Sequence, residues 1–185
     1  TYVLANAFKD LQTDRKVIIV TNQDHEANSG VWRRLKNFGY TVKEWKVRKN
    51  TGSLVLDDLI KILDKDVCLV TFPHCSNIIG EINPVEKICE LSKENGSYTC
   101  VDGVSYVPHS FPNIKKIGCD IYMFSTYKTY GPHLALLYGK EEILKDLPNQ
   151  NHEFLDGQYP YTINPGGANH AVSYTHLRAH ETSQH

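Results

Sequence analysis

Short runs of apolar, mostly β-branched residues alternate along the chain with stretches in which apolar positions recur every three or four residues. The runs at 16–21, 67–72 and 120–125 are continuous rather than alternating, which predicts strands covered on both faces, and 98–101 and 134–138 read as two further short strands. Residues 40–47 alternate apolar and polar, as a strand with one covered face does. Helical spacing predicts a helix over 1–11 through Leu4, Ala7, Phe8 and Leu11, and another marked by Val31, Trp32, Leu35 and Phe38 that stops at Gly39. Leu56, Leu59, Ile60 and Leu63 form one apolar stripe, and Val85, Ile88, Cys89 and Leu91 form another behind Pro84. Brief helical turns are expected at 114–117 and 141–147, and 148–169 reads as loop, rich in Pro, Gly, Asn and Gln.

Strands that alternate with helices give an α/β fold. Only about eight residues join 120–125 to 134–138, fewer than the dozen or so a parallel crossover needs, so the last strand should run antiparallel. The expected architecture is a mixed, mostly parallel sheet with helices on both faces.

Composition narrows the function classes. The 185 residues are 41% hydrophobic and 22% charged, enough for one domain with a sizeable core. A formal charge of −1 without a basic cluster argues against nucleic acid as a partner, and no apolar run is long enough for a membrane span. Cys68, Cys75, Cys89, Cys100 and Cys119 form no Cys-x-x-Cys pair, and four lie within or beside apolar segments. Free, mostly buried thiols in a reducing, cytoplasmic compartment are expected, with no metal site. The two standard phosphate-binding glycine loops are missing.

Chemistry collects at strand ends. Lys128 follows the strand 120–125 and precedes Gly131-Pro132, at the C-terminal edge where open α/β sheets place their ligands. His25, His74 with Asn77, Asp102, and Ser125 occupy equivalent positions after other strands. Each has a local reading. Asp102 before Gly103 suits a turn, Asn77 a cap, His25 and Lys128 solvated loops, Ser125 a backbone contact, and His74 and Cys75 loop packing. Their arrival at one edge, in order, calls for a joint explanation.

The segments Asp24-His-Glu-Ala-Asn28, Ser76-Asn-Ile-Ile-Gly80, Val101-Asp-Gly-Val104 and Ser125-Thr-Tyr-Lys128 with Gly131-Pro-His133 together resemble class V aminotransferases. Within those fold-type-I pyridoxal-phosphate (PLP) enzymes, the cysteine-desulfurase-like branch is most similar. The resemblance runs from Thr1 to about His170 and implies part of a PLP-binding large domain, 1–170, incomplete at both ends. It implies a Schiff base between Lys128 and the cofactor aldehyde, and a pairing of Asp102 with the pyridine nitrogen. By the same resemblance His25 stacks on the ring, Asn77 donates to the ring's 3-oxygen, and Ser125 contacts the phosphate. Pro165-Gly-Gly-Ala-Asn169, including Gly167, resembles the loop that reaches the phosphate in the partner subunit of a homodimer. Two positions depart from the pattern: Ser105 stands where many desulfurases carry glutamine, and Tyr127 replaces a histidine that touches the phosphate. A tyrosine hydroxyl can still donate there. The implied activity is C–S bond cleavage on a small amino acid. Transamination, another lyase reaction, or a non-catalytic scaffold retaining the fold are the alternatives. In the family, the first phosphate-binding turn precedes the position of Thr1. The substrate-carboxylate arginine and the persulfide-forming cysteine lie beyond residue 170.

The tail 171–185 has no counterpart in that pattern. Val172-Ser-Tyr-Thr-His-Leu-Arg-Ala-His-Glu-Thr182 resembles a translated sequencing adapter, so His176, His180 and His185 enter no site. We expect the locus, sequenced from source DNA, to continue differently after His170; the same tail encoded there would contradict this reading.

Overall fold

The computed structural model describes residues 1–164 and 166. Five parallel strands and one antiparallel strand form a single sheet in the order β2-β1-β3-β4-β5-β6. They are β1 (Val17–Thr21), β2 (Thr41–Trp45), β3 (Val67–Pro73), β4 (Tyr98–Asp102), β5 (Ile121–Ser125) and β6 (Ala135–Gly139). The helices are α1 (Tyr2–Asp10), α2 (Glu26–Arg33), α3 (Leu56–Ile62), α4 (Val85–Glu94), α5 (Ile114–Ile117) and α6 (Glu141–Asp146). The antiparallel pairing of β5 with β6 follows from the short connection, which leaves no room for a crossover.

Alternate residues of each strand feed two cores. Ile18 and Val20 of β1, Cys100 of β4, and Ile121 and Met123 of β5 pack with Leu4, Phe8, Trp32 and Ile143 of α1, α2 and α6. Ile19, Val101 and Tyr122, one step along the same strands, pack with Leu59, Ile88 and Ile117 of α3, α4 and α5. Period-two alternation therefore sends successive side chains to opposite helical layers. All seven residues of β3 are buried, as expected at the centre of a parallel sheet.

Two details differ from the pattern-based expectation. Helix α2 starts at Glu26, inside the charged stretch, five residues before the apolar marks begin. His25 makes this possible: its Nδ1 accepts from the Ala27 N–H at 3.0 Å, capping a turn that has no apolar signal. The segment after Arg33 tightens into a 3-10 turn over Arg34–Phe38 and ends at Gly39, whose φ of 84° is left-handed. Second, β2 is an edge strand, and only Trp45 of its five residues is buried.

No helix among the described residues is long and apolar enough to cross a membrane. All five cysteines are free, four of them buried. The loop reading of 148–169 covers two single 3-10 turns, Glu153–Leu155 and Tyr161–Ile163. The expected tail at 171–185 lies outside the described residues.

Candidate active site

The parallel strands deliver their C-terminal ends to one edge, where two adjoining cavities open. The smaller, about 90 Å³, is lined by Asp24, His25, Asn77, Asp102, Tyr127 and Lys128, among others. The larger, about 890 Å³, shares Asn77, Val104, Ser105 and Lys128 with it and extends toward Tyr106 and Tyr130.

Asp102 ends β4, clamped by its neighbours. Its carbonyl accepts from the His74 N–H at 2.8 Å, and the Gly103 N–H donates to the Met123 carbonyl at 2.8 Å. The side chain bends back, so that Oδ1 accepts from the Val104 N–H at 2.8 Å. The turn-aspartate reading is therefore correct, and so is the cavity-lining one: a local bond orients a carboxylate that faces the cavity. Burial raises the Asp102 pKa, while the Val104 N–H, Lys128 and His25 pull against that rise. No salt bridge neutralises it among the described residues.

Lys128 sits in a one-turn 3-10 segment, Thr126–Thr129, held by side chains of its own loop. The Thr126 Oγ1 donates to the Pro132 and Leu134 carbonyls, and the Thr129 Oγ1 to the Thr126 carbonyl. Tyr130 closes the turn at φ 62°, a left-handed conformation unusual for a tyrosine. At Gly131 a Cβ would lie 2.9 Å from the Thr126 carbonyl oxygen, so only glycine allows that approach. An irregular, tightly tied loop thus carries the lysine to the cavity mouth.

His25 projects from the N-terminus of α2, and its role as cap fixes Nδ1 as an acceptor. Asn77 is exposed in the turn 76–80; the capping is done instead by Ser76, whose Oγ accepts from the Ile78 and Ile79 N–H groups at 3.4 Å each. Asn77 is left free to face both cavities. Tyr127 lines the smaller cavity and stacks on His133, ring centroids 5.2 Å apart. Ser125, the last residue of β5, is half-buried and lines neither cavity. Gly167 lies outside the described residues.

A second carboxylate went unassigned in the sequence reading. Asp24 lines the smaller cavity beside Asp102, and its Oδ2 accepts from Asn28 Nδ2 at 2.7 Å. Asn28 is locked in turn by Thr71 and by Trp32, whose Nε1 donates to it at 3.1 Å. Asp24 Oδ1 is buried without a partner among the described residues. Burial pushes the Asp24 carboxyl well above its usual range, and the Asp102 charge pushes it further. Two carboxylates in one small cavity resist sharing a double negative charge, and burial and the Asp102 charge both favour the protonated form of Asp24. Its place in the stretch Asp24-His-Glu-Ala-Asn28 was visible; its burial was not.

The thiols are not built as nucleophiles. Burial raises Cys68 to about 11 and Cys89 and Cys119 to about 12, and it also raises Cys75 at the cavity wall. Among the described residues no cluster of three His, Cys, Asp or Glu could hold a metal ion.

These features suit PLP. A half-buried carboxylate without a salt bridge, a lysine lining the same cavity and a flanking imidazole suit a protonated pyridine ring carrying an aldehyde.

The chain is similar to several known proteins. A family model described as Aminotransferase class-V matches residues 1–154. The aminotransferase-like protein FGM3 of Gibberella zeae is 37% identical over 140 residues, covering 74% of this chain and 35% of that protein. A cysteine desulfurase of Yersinia pseudotuberculosis is 35% identical over 133 residues, 71% of this chain and 32% of the relative. Among solved structures, the Escherichia coli cysteine desulfurase CsdA aligns at a TM-score of 0.83 and 21% identity, covering 92% of this chain and 46% of that one. The apo cysteine desulfurase of Thermococcus onnurineus NA1 aligns at 0.71 and 28% identity, covering 82% and 38%. This chain spans about a third of the length of the curated relatives it matches (35% and 32%).

A pH signature follows for Asp24. Its raised native pKa means that the stability tied to its protonation is present in full below the unfolded value and is lost as pH rises through the native value. Asp24→Asn keeps the oxygen that Asn28 needs but cannot ionise. In urea unfolding of the intact protein, the variant should gain on wild type as pH rises from about 4. A difference that does not change with pH would contradict this.

Proposed function

Since the chain belongs to the class V aminotransferase family, we propose that residues 1–170 form part of the large domain of a PLP-dependent enzyme acting on an amino acid. The proposed reaction is cysteine-desulfurase-like cleavage of a C–S bond, carried out by the complete protein as a homodimer. The observation that carries this reading is the convergence of Asp102, His25, Asn77 and Lys128 on one cavity at the C-terminal edge of the sheet.

Bound covalently at Lys128, PLP supplies an electron sink for charge that develops at the substrate's α-carbon. Asp102 holds a proton on the pyridine nitrogen; a buried carboxylate oriented by the Val104 N–H does this better than a solvated one. Asp24, neutral beside it, leaves a single negative charge to pair with the ring. His25 would stack on the ring, with Val104 also lining that cavity. Asn77 donates to the 3-oxygen, the role that Ser105 is too short to take from the usual glutamine. Tyr127 and Ser125 serve the phosphate, with the loop around Gly167 reaching the partner subunit. Lys128, at the mouth of the cavity, would hold the cofactor and supply an amine able to act as base toward the substrate's α-proton.

In the full-length protein, borohydride reduction and peptide mass mapping should place a phosphopyridoxyl group on Lys128. Asp102→Asn should still bind PLP but lose turnover by a factor on the order of 10². A colourless protein that takes up no added PLP would refute the enzyme reading, and undiminished turnover in the variant would remove Asp102 from its role.

A further inference from the structure

Behind Asp102, three aromatic side chains from separate elements form one packed unit. His74, the residue after β3, is 4% exposed. It lies flat against Tyr106, with ring centroids 3.5 Å apart and planes 10° apart, and meets Tyr122 of β5 edge-on at 5.9 Å and 88°. Its Nδ1 is 2.8 Å from the Tyr122 hydroxyl. Burial lowers His74 to about 4, so the imidazole is neutral at physiological pH, and burial also raises Tyr122. A phenol is the natural donor to a neutral ring nitrogen, so Tyr122 donates to Nδ1.

Gly103 makes the contact possible. A Cβ there would fall 2.2 Å from Tyr122 Cε1 and 2.4 Å from its hydroxyl oxygen. The glycine after Asp102 is therefore required for space, since its φ is not left-handed. The turn that carries Tyr106 is closed on the same residue: the Tyr106 and Val107 N–H groups donate to the Gly103 carbonyl at 3.0 and 2.9 Å.

Held in this way on one side, Tyr106 forms part of the wall of the 890 Å³ cavity that begins at Lys128. Ile82, Val104, Pro108 and Tyr130 add apolar surface, and among the described residues the lining contains no carboxylate and no arginine. The volume is in the range of pockets for ligands much larger than free cysteine. A cationic substrate side chain would meet no counter-charge in that lining.

Resting on the reading of Lys128 as cofactor anchor, we propose that Tyr106 is a specificity-determining residue, positioned by His74 and Tyr122, for a substrate side chain that is bulky and apolar. For C–S cleavage this means a cysteine whose sulfur carries an apolar or aromatic substituent. The reaction balances without an oxidant: the α-proton leaves, the C–S bond breaks, and the sulfur departs as a thiolate that takes up a proton. The remaining 2-aminoacrylate reacts with water to give pyruvate and ammonium. It needs no nucleophilic cysteine.

The test uses the full-length holoenzyme and two ligands that lack an α-proton, α-methyl-S-benzylcysteine and α-methylcysteine. Calorimetry reports binding without turnover. The benzyl ligand should bind about 10-fold or more tightly than the other. Tyr106→Ala should remove that preference while PLP affinity is unchanged, and Tyr106→Phe should keep it. Tyr122→Phe, which loses only the hydroxyl, should narrow the preference severalfold, an effect on the ratio that a loss of stability alone would not produce. Equal binding of the two ligands to a wild type labelled at Lys128, or an equal loss for both in Tyr106→Ala, would overturn the proposal. Failure of borohydride to label Lys128 would instead overturn the cofactor reading on which it rests.

Discussion

A half-buried carboxylate without a salt-bridge partner is the constraint on which this edge of the molecule depends. Asp102 ends a strand flanked on both sides by parallel neighbours, β3 and β5, so its backbone has almost no freedom. The clamp comes from the sheet itself: one hydrogen bond arrives from the residue after β3, and another leaves for β5. An isolated buried charge is costly, and the usual outcome is that the group takes up a proton or finds a partner. Asp24, the more deeply buried of the two, is pushed further toward its protonated form by burial and by the Asp102 charge. A cation at this edge, such as the protonated pyridine ring proposed above, would offset the Asp102 charge.

The rest of the site is organised around that carboxylate at different levels of rigidity. Behind it, Gly103 leaves space for Tyr122 to reach His74, and His74 fixes Tyr106. The same Asp-Gly pair therefore lines the smaller cavity with one residue and, with the next, makes room for the packing behind the wall of the larger. To one side, the Trp32–Asn28–Asp24 chain of hydrogen bonds ties the acid to the start of α2, where His25 is both helix cap and cavity wall. In front, Lys128 rides on a loop built from threonine hydroxyls, a left-handed tyrosine and an obligatory glycine. Rigid elements carry the charge, and an irregular one carries the nucleophilic amine.

Much of this was legible in the sequence because hydrophobic period is a strong signal for parallel strands and their helices. Strand positions, the antiparallel final strand and the edge carrying Asp102 and Lys128 all followed from runs of apolar residues and one connection length. The start of α2 was not legible, since it depends on a histidine cap rather than an apolar stripe. Nor was Asp24, because burial of a polar residue reflects what surrounds it in three dimensions. His74 was read as loop packing. It does pack, but its partners come from β5 and from the turn after β4, which no local pattern connects. The family resemblance named the roles of Asp102, His25 and Asn77, and the fold brings these residues to one cavity with Lys128. Ser125 lies apart from that lining, so a phosphate contact there has less support than the others.

The central claim is that Asp102 keeps the ring nitrogen protonated. Nitrogen NMR of the full-length protein, reconstituted with PLP labelled with ¹⁵N in the ring, reads this directly. The wild type should show the shift of a protonated pyridine nitrogen through the neutral pH range, and Asp102→Asn the shift of the unprotonated ring. The same shift in both proteins would contradict the account.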